Sequence, residues 1–440
     1  MTSSLLSAAF TTPGMEEAAG DRAWLQGMLD FEAALAGALA RAGVVPQEAA
    51  DEIGAACRAE RFDPDTLGQA VTGGGNPAIP LVKQLTAAVS PSAAAFVHWG
   101  ATSQDVIDTG TMRVLQRALA LLIDELRAVE AVCARMAREH DDTLMIGRTL
   151  LQQALPITFG LKAAGWHGQI VRARRELETV RDACLAAQLG GAVGTLASLG
   201  DQGEAVLRYL AEALELREPE MPWHTSRDRV VRVQAALGLT AGAMARVATD
   251  TVLMMQTEVG EFTEPAAGGS STMPHKRNPV RSTLALAAAQ RVSGMMSGAF
   301  AGLAQQHERA AGPWHAEWQT LFDMLRLTAA AVDHVRHAID GATVDVQRMR
   351  HNLERTRGVV MAEAVMMVLA RHIGRDAAHH ALGEACTHAL ETDTSLGEVL
   401  KKDRRVSGRV SEEEINAALD PANYLGMANR FVERALRAGG

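Results

Sequence analysis

The stretch TGTMRVLQRALALLIDELRAVEAVCARMAREH, residues 109–140, decides the fold. Its apolar residues Val114, Leu115, Ala118, Leu122, Leu126, Val129, Val132 and Met136 recur in steps of three and four, the period of one helix face. Neither glycine nor proline interrupts it after Gly110. At 1.5 Å per residue it predicts a helix of about 45 Å. Three further long helical stretches are expected over about 228–262, 280–306 and 314–339, the last carrying Leu321, Met324, Leu325, Leu327 and Val332. Val, Ile and Thr seldom alternate with polar residues and aromatic residues are only 4%, so sheets have little support. Long helices in mid-chain predict an all-α protein with a central bundle. Shorter helical patterns before and after it divide the chain into an N-terminal helical domain over 1–104, the bundle over 105–350 and a C-terminal helical domain over 351–440.

Bulk properties narrow the function. A chain of 440 residues, 48% hydrophobic and 22% charged, can bury a large core. Its net charge of −9 argues against a nucleic-acid partner, which would need a basic face. Cys57, Cys133, Cys184 and Cys386 lie far apart without paired spacing, so reduced thiols are expected in place of disulfides or a metal cluster. The N-terminus has no basic start followed by an apolar core, and no run reaches the roughly 18 apolar residues of a membrane span. A cytoplasmic protein with no membrane partner is expected.

The connections between helices carry the chemistry. The richest is GGSSTMPHKRNP, residues 268–279, which sets two glycines, two serines and three basic or potentially basic side chains between helical stretches. Such a loop can move, present backbone N–H groups and deliver a serine beside positive charge. It matches at every fixed position the signature G-S-S-x-M-P-x-K-x-N-P, so the chain resembles the fumarase/aspartase superfamily. The resemblance continues in family order through HWGATSQD at 98–105, GRTLLQ at 147–152, GGAVGT at 190–195 and HER at 307–309. It implies an all-α fold with five long central helices and a homotetramer whose active sites draw on three subunits. It also implies catalytic roles for Ser270, Lys276 and Asn278: proton transfer by the serine, and stabilisation of carboxylate and anionic intermediate by the other two. Substrate-binding roles fall on His98, Thr102, Ser103, Thr149, Gln152, Trp223, His224, Ser271 and Arg309. No metal and no cofactor are implied.

Two departures from the family pattern narrow the reaction. Family lyases carry Thr-His where this chain has Thr149-Leu150, and a glutamate thirteen residues after the serine, where this chain has Thr283. Lyases that expel an amine or hydroxide need a proton donor for the leaving group. A carboxylate, with a pKa of about 4, needs none. Loss of both members of the dyad therefore fits addition or elimination of a carboxylate within one molecule. DFEAAL at 30–35, PWHTSRDR at 222–229 and WHAEW at 314–318 resemble the superfamily's cycloisomerase branch, an intramolecular lyase acting on a tricarboxylate diene from aromatic breakdown. A further departure is a short link between Glu264 and Gly269.

Blander readings apply to other features. His334 and His337 have a metal-like spacing but no carboxylate or cysteine partner, so they read as solvated helix-face residues, as do His379 and His380. The glycines at 73–75 lack the rest of a phosphate loop. Two alternatives stay open: a lyase releasing fumarate from adenylosuccinate or argininosuccinate, and a non-catalytic homologue. The missing dyad opposes the first and the intact 268–279 loop the second.

Overall fold

The computed structural model describes residues 4–265, 268–269 and 273–439, in which helices joined by turns and loops predominate and the strands form three two-stranded pairs. The main helices are α1 (Asp21–Arg41), α2 (Ser103–Glu139), α3 (Phe159–Cys184), α4 (Asp228–Met254), α5 (Val280–Ala301), α6 (Pro313–Ile339), α7 (Ala362–Ile373) and α8 (Arg375–Thr392). The strands are β1 (Leu144–Thr149), β2 (Gln152–Thr158), β3 (Phe262–Thr263), β4 (Gly268–Gly269), β5 (Arg277–Asn278) and β6 (Thr343–Val344). The chain divides into two compact units, one of residues 1–127, 172–245 and 284–334, the other of 128–171, 246–283 and 335–440. The five longest helices, α2 to α6, each carry residues of both units. No described helix is long and apolar enough to cross a membrane.

The expected periodicity is the one that is buried. Val114, Leu115, Ala118, Leu122 and Leu126 of α2 lie in the first unit's core, and Val129, Val132 and Met136 in the second's. The helix begins at Ser103, six residues before the expected start, and runs through Gly110. That glycine is a packing device. A Cβ there would lie 2.9 Å from the Met28 nitrogen, and one on Gly27 would lie 2.5 Å from the Gly110 carbonyl oxygen. Two helices crossing this closely leave no room for a methyl group, so the cost of glycine in mid-helix is offset by backbone approach.

The other boundaries shift for local reasons. Helix α4 ends at Met254, short of the expected 262, where Gly260 adopts φ 63° and Glu261 N donates to Met254 O at 2.9 Å. Helix α3 went unread in the sequence, because its apolar residues are interleaved with charged ones over ARREL and its amphipathic signal is weak. In the second unit, α7 and α8 pack Val365, Leu369, Ala378, Ala381 and Leu382 with Leu396, Leu400, Val406 and Ile415 into a separate apolar cluster.

Candidate active site

In the first unit the motif HWGATSQD forms the approach to α2. Asp105 sits in the first turn and is fully buried. One of its oxygens accepts from Thr102 N and Gly191 N, each at 3.0 Å. The other accepts from Gly190 N at 3.0 Å and from His224 Nε2 at 2.7 Å. One carboxylate thus ties together the start of α2, the glycine-rich turn and the PWHTSRDR segment. The turn needs its glycines: a Cβ on Gly190 would lie 2.8 Å from His224 Cε1, and Gly191 has φ 67°.

Around this staple lie those of the expected binding residues that belong to the first unit. Arg309 Nη1 donates to Thr102 Oγ1 at 2.7 Å and its Nε to Gln104 Oε1 at 3.4 Å. Gln104 Nε2 in turn donates to His224 O at 2.8 Å. Thr102 and Ser103 are partly exposed at the amino end of a 37-residue helix, where N–H groups and the macrodipole favour an anion. His98 has φ 59° and its Nδ1 lies 2.7 Å from Glu32 Oε1. Burial opposes charge on that imidazole, but the charge and hydrogen bond of Glu32, with Asp105 behind, outweigh it and raise its pKa.

Trp223 and His224 are both buried. The Trp223 indole N–H donates to Ala187 O at 2.9 Å, and its backbone N–H to Gln188 Oε1 at 2.8 Å. Beneath them lies a buried ionic network. Arg227 donates to both oxygens of Asp108, at 2.8 and 3.0 Å, and to both oxygens of Glu317. Trp314 Nε1 adds a donor to Asp108 at 3.0 Å, and the Arg227 guanidinium lies 4.9 Å from the Trp223 ring centroid.

In the second unit, Thr149 and Gln152 are the last and first residues of β1 and β2, paired across a two-residue turn. Leu150 and Leu151 make that turn with φ 49° and 64°, and their side chains are 97% and 77% exposed. At the strand's other side Arg148 holds buried Glu261 through both oxygens, at 2.9 and 2.6 Å, and Asn352 Nδ2 reaches the same carboxylate at 2.8 Å. The signature loop is closed at its base by β4 and β5, with Gly268 opposite Asn278 and Gly269 opposite Arg277. Buried Glu264 accepts from Arg281 N and Ser282 N at 3.0 and 2.9 Å, anchoring the loop to the amino end of α5. Lys276 is exposed and Asn278 half-buried. Ser270 and Ser271 lie outside the described residues. Thr283 donates its hydroxyl to Pro279 O at 2.7 Å and so is spent on its own helix.

The sequence missed the partners of these residues: Glu32, Asp105, Asp108, Arg227, Glu261, Glu317 and Asn352. Several stood inside quoted motifs, but nothing in a linear pattern says that Arg227 meets Glu317 ninety positions on. His334, expected on a solvated face, is buried, its Nε2 donating to Ala9 O at 2.8 Å. It carries a ring on an otherwise apolar helix face, where an internal carbonyl takes the place of water.

A fold of long central helices, with a stapled Thr-Ser pair and the signature loop, defines a class, and comparison with known proteins agrees. Residues 8–294 match the family model described as Lyase, and residues 358–435 match that of the adenylosuccinate lyase C-terminus. The chain belongs to the fumarase/aspartase superfamily of lyases. It is 51% identical to 3-carboxy-cis,cis-muconate cycloisomerase from Pseudomonas aeruginosa, over 98% of this chain and 95% of that protein. The crystal structure of 3-carboxy-cis,cis-muconate lactonizing enzyme from Pseudomonas putida superimposes with a TM-score of 0.95 at 47% identity, covering 99% of each chain. A nitrosuccinate lyase from Streptomyces davaonensis is 40% identical over 99% of this chain and 94% of its own.

Proposed function

We propose that this chain is a 3-carboxy-cis,cis-muconate cycloisomerase, closing a tricarboxylate diene to its lactone in the protocatechuate branch of aromatic catabolism. The observation that carries this reading is the agreement of sequence and fold, along nearly the whole chain, with cycloisomerases of that name. The absence of the lyase dyad supports it: Leu150 has no proton to give, and the Thr283 hydroxyl is committed to Pro279.

The mechanism follows from the substrate's own geometry. One carboxylate oxygen attacks an alkene carbon of the same molecule, so proximity is supplied before the enzyme acts. As the C–O bond forms, the alkene electrons move toward the neighbouring carboxylate and give an aci-carboxylate dianion. Lys276, Asn278 and the Thr102 and Ser103 hydroxyls stabilise that charge, with the Arg309 guanidinium, held on Thr102, as a further partner. Ser270 then delivers a proton to the carbanionic carbon and recovers one from solvent. In the reverse direction its alkoxide removes that proton, which requires nearby cations and N–H donors. Thr149, Gln152 and Ser271 bind substrate, whereas Trp223 and His224 act on the site through Gln188 and Asp105. The reading carries with it a cytoplasmic homotetramer with active sites shared between subunits, and the three-domain division at about 104 and 350.

Ultraviolet absorbance of 3-carboxy-cis,cis-muconate tests the proposal. Ring closure breaks the diene's conjugation, so the band fades with the wild type and persists with Ser270→Ala. A persistent band with the wild type, together with cleavage of adenylosuccinate or argininosuccinate, overturns it in favour of a fumarate-releasing lyase. No serine-dependent turnover of any of these substrates leaves a non-catalytic homologue.

A further inference from the structure

DFEAAL places Glu32 on α1 with its side chain fully out of solvent. One oxygen, Oε1, lies 2.7 Å from His98 Nδ1, and among the described residues Oε2 has no hydrogen-bond partner. A carboxylate so poorly solvated is stable as an ion only beside a positive charge. Among the described residues the group at hydrogen-bond distance that can supply it is the His98 imidazole, and 2.7 Å is the length of a charge-assisted bond. His98 itself is held with φ 59°, a left-handed conformation that a non-glycine residue adopts at a cost. Its side chain keeps 18% exposure, and with Nδ1 taken by Glu32 its Nε2 has no partner among the described residues. The charged groups facing the ring are Glu32 from α1 and Asp105 from α2.

We infer that Glu32 is a positioning residue: from within the core it holds His98 as an imidazolium, leaving Nε2–H to bind one carboxylate of the substrate. The substrate part of this inference rests on the tricarboxylate reading above. The pair explains why an acidic residue is buried behind a site that must attract a trianion. Its charge is neutralised by the histidine it fixes, and what faces the substrate is a donor. The sign of the pH effect follows. Glu32 raises the pKa of His98 against burial, so the charge persists below that raised value and is lost as pH rises through it. Removing the carboxylate charge lets burial prevail, and His98 loses its proton at lower pH.

The test is Glu32→Gln, which keeps the hydrogen bond to His98 and deletes the charge, with Glu32→Asp as the conservative rescue. Three readouts separate positioning from general damage: the His98 ring-proton titration by NMR in the ligand-free protein, assigned by its loss in His98→Asn; KM against kcat for 3-carboxy-cis,cis-muconate; and the alkaline limb of kcat/KM. In Glu32→Gln the His98 midpoint falls by about one pH unit, the alkaline limb moves down with it, and KM at pH 8 rises about tenfold with kcat within about threefold. Glu32→Asp recovers most of the KM. An unchanged His98 midpoint, or a loss carried entirely by kcat, overturns the inference. If the wild type leaves the muconate band untouched, the functional reading fails, while the NMR titration still decides whether Glu32 keeps His98 charged. Should Glu32→Gln not fold, the absolute His98 midpoint of the wild type decides it: a value at or below that of an ordinary histidine overturns the pair.

Discussion

Asp105 and His224, 119 positions apart, meet as a buried pair at 2.7 Å. The same carboxylate also accepts three backbone N–H groups, from Thr102, Gly190 and Gly191. Replacing Asp105 with alanine leaves those donors buried and unmatched. Each lost partner costs about 1–3 kcal/mol, so Asp105→Ala should lose at least about 3 kcal/mol of stability. Urea unfolding measures it. A loss below about 1 kcal/mol would mean that the three segments hold together without the staple.

Arg227 joins two carboxylates, Asp108 and Glu317, in a site only 1% exposed. Its planar fork serves both through several N–H donors at once, a geometry that a lysine ammonium cannot reproduce. Arg227→Lys should therefore cost about 3 kcal/mol despite keeping the charge, because one carboxylate is left unpaired in the core. Thermal and urea unfolding read the effect. Wild-type stability in Arg227→Lys would show that the network tolerates a point charge.

How much of this was legible in the sequence differs between the fold and the site. The burial of Val114, Leu115, Leu122 and Leu126 was readable because a long amphipathic helix repeats its own evidence every turn. The start of that helix was not. It depends on Asp105, in the first turn, closing back on Thr102 N, while Gly110 is tolerated only because Gly27 lies against it. At the site, Thr102, Arg309 and His224 could be nominated from motifs, but the link through Gln104 and Asp105 joins residues up to 205 positions apart. The β1–β2 hairpin was missed for another reason: its turn is Leu-Leu, residues that give no turn signal.

That turn gives a prediction of its own. Leu150 and Leu151 both hold positive φ in a two-residue hairpin turn, a conformation suited to Asn-Gly. Double replacement, Leu150→Asn with Leu151→Gly, should stabilise the protein by about 1–2 kcal/mol, since it relieves left-handed strain without uncovering any packed side chain. The midpoint of thermal unfolding should rise. A fall would show that the two leucines are covered in the assembled protein and stabilise it there.

The cysteines should resist modification. Burial, with Glu130 second, pushes the Cys133 thiol up to about 12, and burial, with Glu32 and Asp30, drives Cys57 higher still. Cys184 is buried as well, and only Cys386 is half-exposed. Because the thiolate is the reactive form, iodoacetamide at pH 8 should label the native protein slowly and first at Cys386. In denaturant all four should react. Fast native labelling of Cys57 or Cys133 would contradict the burial of these two thiols.

The reaction itself can be probed at the position where family lyases carry histidine. Leu150 stands at the exposed tip of the hairpin, so a histidine fits there without disturbing the core. A carboxylate leaves or attacks in its ionised form, and its protonation contributes nothing to the barrier. Leu150→His, alone or with Thr283→Glu, should leave kcat for the muconate at or below the wild-type value in both directions. Product formation followed by absorbance gives the answer. A gain of tenfold or more, equivalent to about 1.4 kcal/mol of barrier, would mean that proton delivery to the departing oxygen limits the reaction, and that the missing dyad does not mark carboxylate chemistry.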